Sequence, residues 1–169
     1  MIFGSTPQVE LHTLISLIAI ATGLAVLAEL FRSRRADGLT LVFLVTTILT
    51  SFSGFFLPAD KILPSHMVGV LSLIVLAVCW YARFGKAMAG AWRTAYVLTA
   101  VISLYLNCFV LVFQLFLKVP ALHELAPNMN EPPFAIAQAV VLAAFVIAAI
   151  GATLRFHPEA SLGERAHRA

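Results

Sequence analysis

Five apolar runs, each long enough to cross a bilayer as a helix, constrain this chain more than any other feature. They are Leu11–Phe31, Leu39–Leu57, Met67–Phe84, Ala95–Leu117 and Phe134–Leu154, and the third is the shortest. A hydrocarbon core needs about 20 residues in helical form. Hydrophobic residues make up 61% of the 169-residue chain and charged ones 11%, against roughly a quarter charged in soluble domains. A water-soluble fold of this size has too little interior to hide so much apolar surface. The expected fold is all-α: a polytopic membrane helix bundle of five transmembrane helices. The length leaves room for a single integral membrane domain over residues 1–169 and no separate soluble one.

The charges orient the bundle. Arg32, Arg34 and Arg35 follow the first run. Arg83, Lys86 and Arg93 lie around the connection between the third and fourth, and Arg155, Arg165 and Arg168 follow the fifth. Only Lys61 and Lys118 fall on the other side. Basic residues stay in the cytoplasm, so the N-terminus is expected outside and the C-terminus inside. Trp80 and Trp92 flank the second basic loop, where indole rings favour the interface. The first run does not read as a cleaved signal: nothing basic precedes it, it is too long, and no small-residue cleavage site follows. Seven of the eight prolines (all but Pro158) fall in the outer loops or the N-terminal segment, which predicts rigid outer connectors.

The net charge of +3 is small and sits in short loops. It fits membrane orientation and anionic lipid better than nucleic acid. Cys79 and Cys108 lie inside apolar runs and read as small packing residues. No cysteine or histidine cluster points to zinc.

Polar side chains inside a membrane are costly and often functional. The helical period sorts them by face. His12, Ser16, Ala19 and Gly23 share a stripe on the first helix. Thr46, Thr50 and Ser53 share one on the second, beside Thr47, Ser51 and Gly54. Ser65, Gly69 and Ser72 share one on the third, next to His66. Ser103, Asn107 and Gln114 follow on the fourth, and Gln138 on the fifth. With the orientation above, His12, Ser53, His66, Gln114 and Gln138 fall in the outer half and Asn107 near the middle, while the cytoplasmic half is almost wholly apolar. Glu29 is the exception and is expected beside Arg32. The pattern predicts a polar pocket open to the outer face and closed below. Its candidate ligand-binding residues are His12, His66, Asn107, Gln114, Glu131 and Gln138. Small and hydroxyl residues at the same spacing also serve ordinary helix packing.

The stretch from Tyr105 to Gln138 is the most distinctive. Its LN-x-FVLV-x-Q core, the KVP-x-L-x-x-LAP turn and the EPPF that opens the next helix resemble a group of small, uncharacterised, polytopic bacterial inner-membrane proteins. TT-x-LTS-x-x-GF from Thr46 to Phe55 and H-x-x-G at His66 are similar too. The resemblance implies a multi-pass protein of the bacterial cytoplasmic membrane and carries no activity with it. In that stretch Lys118 is expected to snorkel to the outer headgroups or to pair with Glu131, which precedes Pro132 at a helix start.

Three classes of function stay open. One is binding or transport of a small molecule through the outer pocket. The second is redox chemistry, with His12 and His66 as ligands of a b-type haem, or one histidine and an amide holding a quinone. The third is a non-catalytic accessory subunit, either as a homo-oligomer or within a larger membrane complex. No hydrolase, zinc-protease or phosphate-loop motif is present.

Overall fold

The structure, a computed structural model, describes residues 7–56 and 64–158. Those residues form the long helices α1 (Pro7–Phe31), α2 (Asp37–Gly54), α3 (Pro64–Trp80), α4 (Ala91–Lys118) and α6 (Pro132–Arg155), with one short turn, α5 (Pro120–His123). Five helical spans are long and apolar enough to cross a membrane, in agreement with the five runs. The ends differ by a few residues. α1 is described from Pro7. α2 stops at Gly54, and the expected end at Leu57 lies outside the described residues.

The third span reaches membrane length in an unexpected way. α3 covers 17 residues, and a five-residue π turn (Tyr81–Gly85) extends it. A π turn admits one extra residue into the helix and turns the side chains that follow. Its rings pack locally: Trp80 on Phe84 at 4.7 Å and Tyr81 on Trp92 at 5.2 Å between centroids.

Helices α1 to α4 form a closed ring, up-down-up-down, in which α1 packs on α2, α2 on α3, α3 on α4 and α4 back on α1. α6 lies outside the ring against α4 and α1. The ring has two distinct ends. The loops at 32–36 and 86–90 and the segment after Arg155 meet at an Arg-rich end, where Ser33 Oγ accepts from the amide of His157 at 2.7 Å. The other end carries the proline-rich connectors. The core is one apolar cluster running through the ring. Val26, Phe43, Leu44, Leu76, Val97, Ala100 and Leu104 are all buried in it.

α6 has a single buried residue, Ala152. It is latched at both ends. Phe134 stacks edge-on against Phe113 and Phe116 at the Pro-rich end. At the Arg-rich end Phe156 is fully buried against Tyr96, 5.9 Å between centroids, and Arg93 donates to the Phe156 carbonyl.

Candidate functional site

The polar residues gather in two groups inside the ring, separated by an apolar layer. α2 builds both. Asp37, Thr40, Thr47, Ser51 and Ser53 each bond a side chain on another element. At about 1.5 Å per residue these sixteen steps cover roughly 24 Å, most of a hydrocarbon core.

The group at the Pro-rich end contains the sequence-derived candidates. His12 Nδ1 lies 2.8 Å from Ser53 Oγ. Ser53 Oγ also donates to the Thr50 carbonyl at 3.2 Å. With its one proton used there, the His12 ring donates from Nδ1 and leaves Nε2 as an acceptor. Gly54 faces this ring, and a Cβ built on it would stand 3.6 Å from His12 Cε1. Deeper in, Asn107 Nδ2 donates to Thr47 Oγ1 at 3.3 Å, while Thr47 Oγ1 donates to the Phe43 carbonyl. Ser51 donates to the buried Ser72 at 3.0 Å.

The Thr47–Asn107 bond fixes the register of α2 against α4 across the ring. The two helices run in the same direction. Seven residues further along each, Gln114 comes level with Gly54, at the depth of the His12–Ser53 pair. Gln114 Oε1 and, about 6 Å deeper by the same register, Thr50 Oγ1 are buried without a hydrogen-bond partner. Buried polar atoms in membrane proteins are nearly always paired, so these two are spare capacity.

The other candidates lie elsewhere. Gln138 Nε2 donates to the Phe109 carbonyl at 3.1 Å in the α4–α6 seam, and its Oε1 has no partner. Glu131 caps the loop before α6. It accepts from Asn128 Nδ2 at 2.9 Å and from the amides of Asn128 and Asn130 at 3.2 and 3.0 Å. Desolvation pushes its carboxyl up, but those hydrogen bonds outweigh it and hold the group below its usual range. The expected Lys118–Glu131 ion pair does not form; Asn128 and Asn130 take its place. His66 lies in α3, but its side chain lies outside the described residues. The structure therefore ties His12 and Asn107 each to α2, buries the Gln114 side-chain oxygen on the face of α4 that carries Asn107, and leaves Gln138 in the α4–α6 seam and Glu131 in the loop before α6.

The floor of this group is apolar. Phe43, Leu44, Val101 and Leu104 are buried below Thr47 and Asn107. Gly23 of α1 meets this layer directly. A Cβ there would stand 2.6 Å from Leu104 Cδ1 and 2.7 Å from Phe43 Cε2.

The second group lies under that floor, at the Arg-rich end, and corrects the expectation of an almost wholly apolar half. Arg83, placed in the interior by the π turn, has a side chain only 4% exposed. It pairs with Asp37, donates to the Arg35 carbonyl at 2.9 Å and to Met88 Sδ at 2.9 Å, and stands 5.2 Å from the centre of the Tyr96 ring. Tyr96 Oη in turn meets Thr40 Oγ1 at 3.2 Å. One guanidinium thus ties together two loops that hold left-handed residues at Ser33, Ala36, Ala87, Met88 and Gly90. Such backbone persists where its surroundings over-determine it. Sequence reasoning used Arg83 only as a topology marker. The signal was there: Arg83 falls inside the third apolar run, and a cation in such a run calls for a partner. Glu29 does pair with Arg32, at 2.7 Å.

Comparisons with family models, with curated proteins and with solved structures give no match for this chain.

Proposed function

We propose that this protein binds a small polar solute in the ring interior, entering from the Pro-rich end, as the receiving site of a small transport protein of a bacterial inner membrane. The Pro-rich face is outward in this reading, following the distribution of basic residues. The observation that carries the proposal is the two unpartnered buried acceptors, Gln114 Oε1 and Thr50 Oγ1, in the same half of the bundle as the His12–Ser53 pair. Together with Asn107 Nδ2 and the His12 ring they offer donors and acceptors on three helices above an apolar floor. That is the usual make-up of a solute site: few polar groups, well placed, in an apolar setting.

The test uses purified protein in detergent and a panel of small neutral and charged solutes, with thermal unfolding as the readout. Binding to the folded state raises the midpoint. At least one solute class is expected to raise it in the wild type, and Gln114→Leu and Asn107→Leu each to abolish that rise. A solute-dependent rise that survives both substitutions removes the ring interior as the site. Uptake of the same solute by proteoliposomes then separates a transporter from a receptor.

A further inference from the structure

An apolar groove of about 440 Å³ runs between α4 and α6 on the lipid-facing side of the protein. Leu98, Ile102 and Tyr105 form one wall, and Leu142, Val146 and Thr153 are on the other. The Tyr105 and Phe145 rings touch within it, 5.8 Å apart. From Leu142 to Leu154 the groove covers twelve helical steps, about 18 Å. Half of a hydrocarbon core is about 15 Å, so the groove is as long as one leaflet, and it lies in the leaflet of the Arg-rich end.

The groove walls are apolar throughout, and at the end nearest the headgroups a cation, Arg93, stands beside the wall residue Thr153. Thr153 Oγ1 is buried there without a partner. Arg93 lies against the same residue: its Nη1 donates to the Thr153 carbonyl at 3.5 Å and to the Phe156 carbonyl. Those two bonds use one nitrogen. Nε and Nη2 have no partner among the described residues. A guanidinium has five N–H donors in a fixed fork that matches phosphate and carboxylate geometry, and at the level of the headgroups phosphate is the anion on offer.

We propose that this groove is a binding site for an anionic phospholipid, with one acyl chain lying along α4 and α6 and the phosphate held by Arg93 beyond the end of the groove. A ring of bulk lipid would cover the groove with any lipid present. Arg93, beside the end of the groove at Thr153, makes the site selective for headgroup charge. The proposal stands apart from the solute site, which lies inside the ring and at the opposite end.

The test is native mass spectrometry of the detergent-purified protein with phosphatidylglycerol or phosphatidylcholine of identical acyl chains. The wild type is expected to retain phosphatidylglycerol about fivefold better, the effect of one basic residue at an anionic surface. Arg93→Gln is expected to bind both lipids equally. Ile102 and Val146 are 41% and 49% exposed, so the double variant Ile102→Trp/Val146→Trp fills the groove and leaves Arg93 and its carbonyl bonds intact. It is expected to retain neither lipid. Equal retention by the wild type, or a preference that survives Arg93→Gln, overturns the proposal. So does retention unchanged by the tryptophans, displacement of lipid by inorganic phosphate alone, or a dimer whose masses show the groove filled by a second copy.

Discussion

Arg83 and Asp37 form a lopsided pair. The Arg83 side chain is buried, whereas that of Asp37 is 73% exposed. Losing the carboxylate leaves a buried cation without its charge partner, and losing the cation leaves a carboxylate that water already solvates. Asp37→Ala is therefore expected to destabilise by about 2–3 kcal/mol. Arg83→Met, which fills the same space with apolar atoms, is expected to cost about 1 kcal/mol. Thermal unfolding of the two variants in detergent checks the order, and Arg83→Met as the more damaging of the two would refute the assignment. Glu131 makes a second prediction at this scale. A carboxyl held below its usual range contributes stability that is fully present above its unfolded pKa, about 4.3, and is lost as pH falls through the folded value. Its carboxyl carbon, followed by NMR, should titrate below a free glutamate, and the Asn128 and Asn130 amide shifts should move with it. A midpoint at or above the free value would mean that those hydrogen bonds do not form. His12, Asn107 and Gln114 were legible as inward-facing residues, because helical period fixes which face a residue occupies. Which partner each one takes was not legible, because that depends on the register between helices.

α2 is the helix around which the polar interior is built, and its neighbour α1 decides how closely that interior is packed. Gly23 is the point of closest approach. Both side chains it meets, Phe43 and Leu104, are themselves buried and have little room to give. Gly23→Val is expected to destabilise by about 1–3 kcal/mol through overpacking. Gly38, in the first turn of α2, has nothing within reach of an added Cβ. Gly38→Ala is expected to stabilise by up to about 1 kcal/mol from helix propensity and unfolded-chain entropy. Unfolding midpoints that moved the same way in both variants would contradict this packing. The five spans themselves were readable from the run lengths, with ends good to a few residues. The π turn was not, since an inserted residue leaves no mark in the apolar pattern of the run that contains it. α5 escaped notice for a simpler reason: a single turn has no period to detect.

Across the whole molecule, the polar groups lie at the two ends of the ring and an apolar layer lies between them. The sequence contained the first half of that arrangement, the group at the Pro-rich end, because the distribution of charge and the helical period together sort residues by depth. The second half was hidden by two residues read for other purposes, Arg83 as a loop charge and Tyr96 as part of an apolar run. α4 holds the parts together. It bonds α2 across the ring through Tyr96 and Asn107 and carries α6 on its outer side. The solute and lipid sites proposed above use opposite faces of this one helix.

The placement of α6 has a consequence for how the protein is made. A chain leaves the ribosome from its N-terminus, and domains fold in that order. The four helices of the ring are complete, and can close on one another, while the last span is still being synthesised. α6 then supplies the last part of the core, Ala152 and the Phe156 that follows it, and attaches by aromatic latches at its two ends. The proposed solute site, at the end of the ring away from Phe156, is then assembled before the groove between α4 and α6 exists, and a translocation machinery that releases α6 late delays the groove and the core around Tyr96 and Phe156.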